Sequence, residues 1–234
     1  MDQASRKHSI RVWDLPTRLF HWLLVALMVA AFVTGQLGGD LMAWHGRLGL
    51  AIIGLLVFRL VWGFVGSTHA RFANFFPRPA TVVAYLRGQW RGLGHNPLGA
   101  LSVFGLLVVV AIQALTGLFA NDDIAFQGPL AVLVAGDTSL WLTSIHRIMV
   151  NLLLLLVGLH VAAVLFYTWV KRDNLVLPMI TGTKVVADPQ AQPAVGGGLI
   201  PFLIALLVAL GVVALAAGVL IEPPPPPPPP APEW

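Results

Sequence analysis

Five long apolar runs, separated by short polar segments, set the plan of this chain. Each is about 20 residues or longer, enough for a helix to cross roughly 30 Å of hydrocarbon. The first starts at Asp14-Leu15-Pro16, where Asp offers an N-cap and Pro suits the first turn, and it ends at Gly38-Gly39. The second follows almost at once, with Asp40 placed to cap it, and runs to about Phe64. Gly66–Pro97 is a basic loop in which Ala80–Gln89 predicts a short interfacial helix. Asn96-Pro97 opens the third run, which ends near Phe119. The fourth, Leu142–Lys171, is predicted to take Thr143 or Ser144 as its cap. The fifth, Leu199–Ile221, precedes Glu222, eight prolines (Pro223–Pro230) and a terminal Trp234.

This pattern predicts an all-α integral membrane protein: a four-helix transmembrane bundle plus a fifth C-terminal transmembrane helix. Residues 1–186 make the membrane domain, 187–198 a linker, 199–221 the extra helix and 222–234 a proline-rich tail. Eight prolines in polyproline II make a spacer of roughly 25 Å. It reads either as a strut holding Trp234 against a partner or as a disordered terminus. The first apolar run begins only near Leu19 and is long enough to span the bilayer, which separates it from a cleavable signal.

Composition agrees with the pattern. The chain is 57% hydrophobic and 10% charged, against about 25% charged in soluble domains. It has no cysteine. That excludes disulfides, Cys-ligated iron–sulfur clusters and covalent c-type haem. The net charge is +4, but its distribution points to membrane topology and not to nucleic acid. Of 14 Lys and Arg, 11 lie in the N-terminal segment, the Gly66–Pro97 loop and the Lys171–Gly198 loop. With five spans these segments share one side, which the positive-inside rule makes the cytoplasm. The N-terminus is therefore expected in the cytoplasm and the C-terminus outside. Asn121–Leu140 carries Asp122, Asp123 and Asp137 with no Lys or Arg.

The chemistry lies in the histidines. His8, His69 and His95 fall in polar segments and are expected to be solvated, whereas His21, His45, His146 and His160 lie inside spans. His146 and His160 are 14 residues apart on the fourth span. That is ~21 Å along a helix and about 40° short of four full turns, so both leave it on nearly one face. Ionisable groups inside a membrane are expensive and mark function. His21 starts a span running outward; His45 and His146 start spans running inward. Depth therefore pairs His45 with His146 near the outer face and His21 with His160 near the inner. Opposed neutral imidazoles in a cysteine-free apolar bundle are what b-type haem needs as axial ligands. Zinc wants three or four ligands around one ion, and here at most two histidines meet at each depth.

Arg47 and Arg147 flank the outer pair, and read either as clamps for anionic haem propionates or as side chains snorkelling to the interface. Arg59 sits near the inner end of the second span. Snorkelling is its first reading and the inner propionates, shared with Arg18, its second. Thr34-Gly35 and Thr116-Gly117 echo each other at the outer ends of the first and third spans. They read either as small-residue helix packing or as room for a flat ring beside Gly35 and Gly117.

Several stretches resemble the bacterial di-haem cytochrome b561 family, which includes the b-type cytochrome subunits of nickel–iron hydrogenases. They are Val12-Trp13-Asp14-Leu15-Pro16-Thr17-Arg18-Leu19-Phe20-His21-Trp22, Trp44-His45-Gly46-Arg47-Leu48-Gly49, Phe58 to Ser67, Gly94-His95-Asn96-Pro97-Leu98-Gly99-Ala100, and Asn174 to Gly182. The resemblance covers about residues 10–186. It implies that His21, His45, His146 and His160 hold two non-covalent b haems, with quinone or quinol as membrane partner. It also implies the bacterial inner membrane as the place, with the outer side periplasmic. The family usually has a four-helix core, from which the fifth span and the tail depart.

With both axial positions filled by His, neither iron keeps a site for substrate, so the expected activity is electron transfer across the membrane. The expected partners are membrane lipid, the quinone pool, and a periplasmic redox protein such as a hydrogenase or a c-type cytochrome. A stand-alone superoxide:quinone oxidoreductase is the alternative. A haem-free transporter or assembly factor is the alternative of another class. Gln113, Thr116 and Asn151 are span residues that could serve a quinone or join helices.

Overall fold

A computed structural model describes residues 7–124 and 126–221. The proline tail lies outside the described residues. Five helices are long and apolar enough to cross a membrane: α1 (Leu15–Leu37), α2 (Met42–Val65, preceded by a turn of 3₁₀ helix), α5 (Pro97–Leu118), α6 (Gly136–Trp169) and α8 (Leu199–Ala216). Three short helices lie in the connections: α3 (Phe72–Phe75), α4 (Pro79–Leu86) and α7 (Val176–Thr181).

The helix ends follow local chemistry. Asp14 accepts a hydrogen bond from the Thr17 N–H at 2.7 Å and Pro16 sits in the first turn of α1. Gly38 ends α1 with φ +65°, where a side chain would be strained. Asn96 caps α5 by accepting from the Gly99 N–H at 2.8 Å, with Pro97 first in the helix. Two expected caps are corrected. Asp40 lies inside the 3₁₀ turn Gly39–Leu41 and caps nothing. α6 starts at Gly136, six residues before Leu142. Thr143 is therefore internal: its hydroxyl takes the Asn121 N–H at 2.9 Å and donates back to Ser139 and Asn121 carbonyls.

α1–α2 and α5–α6 are two hairpins. α2 packs on α1, α5 and α8; α6 packs on α5 and stands off α1 and α2 along most of its length. Midway along, an apolar layer joins Leu24 and Met28 of α1, Ile52 and Leu56 of α2, Val109 and Val110 of α5, and Leu153 of α6. α8 lies on α2 through small residues. Ala205 and Ala209 meet Phe58 and Trp62, and a Cβ on Gly54 would stand 2.9 Å from Val213. Large apolar side chains such as Leu155, Leu159 and Leu207 are exposed, as a lipid-facing surface requires.

The end bearing His21 is closed by a device that carries no helical period. His8–Arg11 (β1) pairs antiparallel with Thr183–Val186 (β2), Ile10 opposite Lys184. The Gly182 carbonyl accepts from the Val12 and Trp13 N–H groups at 2.8 and 3.1 Å, and Arg11 donates to the Ala194 carbonyl at 2.8 Å. Ile10, Val12, Trp13 and Val186 form a small core of their own. The basic segments thus fold into a cap over one end, here termed the basic end. The other, overlain by residues 121–124 and 126–135, is the acidic end.

Asp14 couples this cap to the bundle. It is buried, and its second oxygen accepts from the Trp62 indole N–H at 3.0 Å, tying the start of α1 to the end of α2. Asp14→Ala removes the cap and strands that buried indole donor, a loss on the order of 2–4 kcal/mol. The thermal midpoint of the protein in detergent should fall accordingly, and fall less in Asp14→Asn, which keeps a capping oxygen.

Candidate functional site

The four span histidines meet in two pairs. His45 of α2 and His146 of α6 have ring centroids 6.0 Å apart at 85°; His21 of α1 and His160 of α6 are 6.4 Å apart at 49°. Each pair bridges between the hairpins, where α6 stands away from α1 and α2. The apolar layer lies between the two pairs. Among the described residues no group of three or more His, Cys, Asp or Glu is arranged to hold a metal ion.

The acidic-end pair is held by backbone carbonyls. His45 Nδ1 lies 2.8 Å from the Ala31 carbonyl, and His146 Nδ1 lies 2.8 Å from the Gln113 carbonyl. A carbonyl only accepts, so each Nδ1 carries the proton and each Nε2 keeps a lone pair. The Gln113 side-chain amide donates to His146 Nε2 at 3.0 Å. These contacts explain the Thr-Gly echo. A Cβ on Gly35 would stand 3.0 Å from the His45 ring, and one on Gly117 would stand 3.0 Å from the His146 ring. The glycines let an imidazole reach the carbonyl one turn earlier. Thr34 and Thr116 turn their hydroxyls onto the Ala30 and Ile112 carbonyls at 2.8 and 2.7 Å.

A cavity of about 520 Å³ opens between His45 and His146, lined among others by Gly35, Gly49, Gly117 and Arg147. Phe126 covers it, edge-on to His45 at 6.4 Å and against Gly46. Arg147 is on this lining. Arg47 is instead exposed, with its guanidinium 5.0 Å over the Trp44 ring. Arg18 donates to the Ile180 carbonyl, and Trp22 donates to the Met179 carbonyl at 3.0 Å, so both tie α1 to α7. Asn151 reaches back to the Arg147 carbonyl at 3.5 Å.

The basic-end pair differs. His21 Nδ1 is shielded from solvent and has no protein partner. Arg59 is buried at 3% exposure with its guanidinium 4.5 Å from the Phe72 ring centre, so it does not snorkel. His95, expected to be solvated, is wedged between Trp13 and Phe75 at ring distances of 4.6 and 4.5 Å. Burial pushes its pKa down to about 3, helped by the positive charge of Arg59 and by His69, His160 and His21. His69 is also drawn inward, and burial lowers its pKa while the Gln192 backbone partly restores it. These two are the polar residues that sequence reasoning missed here, whereas Gln113, named there as a quinone or helix-joining residue, joins α5 to α6 through His146. The Gly94-His95-Asn96-Pro97 motif was the available signal, since Asn96 and Pro97 account for the helix start and leave His95 unexplained.

The chain is thus a multi-pass membrane protein whose interior holds two facing histidine pairs. The family model described as prokaryotic cytochrome b561 matches residues 12–182, and the chain belongs to that family. It is 24% identical over 229 residues to a protein of Azotobacter chroococcum mcd 1 named "Probable Ni/Fe-hydrogenase B-type cytochrome subunit", covering 80% of this chain and 93% of that one. It is 24% identical over 213 residues to the "Probable Ni/Fe-hydrogenase 1 B-type cytochrome subunit" of Escherichia coli (strain K12), covering 74% and 89%. A relative in Azotobacter vinelandii, also named "Probable Ni/Fe-hydrogenase B-type cytochrome subunit", is 25% identical over 229 residues, covering 80% and 93%. No solved structure matches. The family, these names and the apolar helices support a bacterial membrane protein that transfers electrons through haem b.

A side chain at either glycine should unseat its histidine. In Gly35→Val the ¹⁵N-histidine NMR spectrum of the haem-free protein should lose the Nδ1–H signature of His45. In Gly117→Val it should lose that of His146, with the remaining rings unmoved.

Proposed function

We propose that the chain carries two b haems, one between His45 and His146 and one between His21 and His160. It passes electrons between the quinone pool and a periplasmic redox partner. The four-helix core α1, α2, α5 and α6 then forms the haem domain, with α8 an added fifth span. The carrying observation is the pair of facing imidazoles at 6.0 and 6.4 Å. Two metal–nitrogen bonds of about 2 Å each, plus the offset of each nitrogen from its ring centre, call for roughly this spacing. The donor set fits as well. Nδ1 of His45 and of His146 is committed to a carbonyl, which orients each ring; His45 Nε2 is left for the metal, and His146 Nε2 would exchange the Gln113 amide for it. The glycine-lined cavity of about 520 Å³ lies where a flat macrocycle belongs.

When bound, each haem supplies a one-electron couple. The protein supplies the rest. The paired histidines would hold a haem from both sides and leave its iron no open position for oxygen or substrate, which favours a relay over catalysis at the metal. The layer of Ile52, Leu56, Val109, Val110 and Leu153 keeps ions and protons out of the space between the sites, which weighs against a proton- or metal-conducting transporter. The two histidines of α6 set the sites ~21 Å apart along its axis. Arg147 on the cavity lining offers a cation to a propionate, whereas Arg47 over Trp44 reads as an interfacial anchor.

The basic end is the cytoplasmic one by the positive-inside rule. The acidic end then faces the periplasmic partner. The relatives' names point to a nickel–iron hydrogenase as that partner, and a c-type cytochrome is the other protein of fitting chemistry.

A reduced-minus-oxidised optical spectrum of the purified chain should show sharp b-type α bands at two haems per chain. His45→Ala or His146→Ala should abolish one haem and keep the other; His21→Ala or His160→Ala should do the reverse. A purified chain that stays colourless after haem has been supplied during its production would overturn the reading.

A further inference from the structure

The basic end holds a group of buried polar atoms for which the protein provides no partner. Arg59 Nη1, His69 Nε2 and His95 Nδ1 are all shielded from solvent without a hydrogen bond. They lie together. The Arg59 guanidinium rests on Phe72, Phe72 packs on Phe75 at 5.9 Å, and Phe75 stacks on His95 at 4.5 Å. A Cβ on Gly94, the neighbour of His95, would stand 3.7 Å from the His69 side chain. The cluster also faces the inner histidines. α2 and α6 run in the same direction, and Arg59 follows His45 by the same 14 residues by which His160 follows His146. On a helix this places Arg59 at the depth of His160 and nearly on the face of His45.

The cluster is short of negative charge. Asp14 is the one carboxylate bearing on Arg59, and its two oxygens are taken by the Thr17 N–H and the Trp62 indole. The single ion pair among the described residues, Lys184 with Asp173, lies elsewhere. A buried guanidinium with an unmet nitrogen is costly, and water satisfies its hydrogen bonds without its charge. What fits is an anion with several acceptor oxygens entering from the histidine side. A quinone head is neutral and answers only part of this.

We propose that Arg59, His69 and His95 form a carboxylate-binding site that grips a propionate of the inner haem, the one held by His21 and His160. Arg59 supplies the charge and one donor. The two imidazoles supply N–H donors from the connections after α2 and before α5. Those connections are thereby fastened to the haem. This rests on the haem reading above and adds to it residues that lie in polar loops by sequence.

The test uses the full haem-loaded chain in detergent, by resonance Raman spectroscopy and by optical redox titration of both haems. In Arg59→Gln and in His95→Phe, one propionate-bending band should move, and in His95→Gln it should return toward the wild-type position. Arg59→Gln should also lower the reduction equilibrium of the inner haem about tenfold, ~59 mV for one electron, and leave the outer haem unchanged. Arg147→Gln, at the other end, should leave the inner haem's bands and potential alone. If Arg59→Gln does not accumulate, Arg59→Lys keeps the charge, loses the planar fork and should still move the band. Bands and inner potential unmoved in variants holding both haems would overturn the proposal. So would weakened decylubiquinone binding with unmoved bands, which would assign the cluster to a quinone. Absence of haem from the wild-type chain is a separate result and would instead overturn the haem reading.

Discussion

An imidazole inside a membrane has two nitrogens to satisfy and no water to do it with. That constraint shapes the structure more than any other. At the acidic end it is met by letting the ring touch a helix backbone. Each Nδ1–H reaches a carbonyl, Ala31 for one ring and Gln113 for the other, and each contact needs a glycine one turn later because a Cβ would sit 3.0 Å from the ring. The hairpins α1–α2 and α5–α6 use the same solution at positions 82 residues apart. The two rings face each other across the gap between hairpins, and the gap stays open because α6 packs chiefly on α5 and meets α1 and α2 mainly in the apolar layer around Leu153. Ring orientation, glycine placement and helix spacing are thus consequences of one requirement.

Much of this was legible in the sequence. Span boundaries follow apolar runs with Asp14-Pro16 and Asn96-Pro97 at two starts, and the structure keeps those boundaries to within a residue or two. The pairing of histidines by depth follows from a 14-residue spacing and the alternating direction of spans, which are geometric facts about helices. Less visible were features that depend on which loop meets which. The extra turns at the start of α6 read as loop because Gly136, Asp137 and Thr138 are weak helix formers. They are helical because Ser139 donates to the Phe119 carbonyl and Thr143 bridges to Asn121. The β1–β2 ribbon joins segments over 170 residues apart, each only four residues long, and strands so short leave no readable period. With the ribbon unseen, the burial of His95 against Trp13 was unseen too. A histidine in a basic loop is solvated unless another segment folds over it.

The repeated Thr-Gly pairs illustrate a subtler failure. The sequence signals that a side chain is missing at Gly35 and Gly117, and says that something flat or close uses the space. It does not say which object. The nearest atoms are imidazole atoms, although both glycines also line the cavity. What the structure shows at both positions is close packing: each glycine lets a histidine of the partner helix approach its backbone.

The two ends of the bundle differ in what their polar atoms lack. At the acidic end the Nδ1 atoms are bonded, and even His146 Nε2 has an amide in reach, so the protein alone nearly completes the site. At the basic end His21, His69, His95 and Arg59 all keep an unmet atom. A folded chain rarely leaves so many buried polar groups bare unless a ligand completes them. Between the ends, the apolar layer contains no side chain that could hand on a proton or bind an ion. A conduit for protons or metals would need polar groups in that middle layer, and the chain places its polar groups everywhere else. An electron needs no such groups, because it can pass through packed aliphatic side chains. Histidine pairs toward both ends with an apolar middle make an arrangement suited to moving charge without matter.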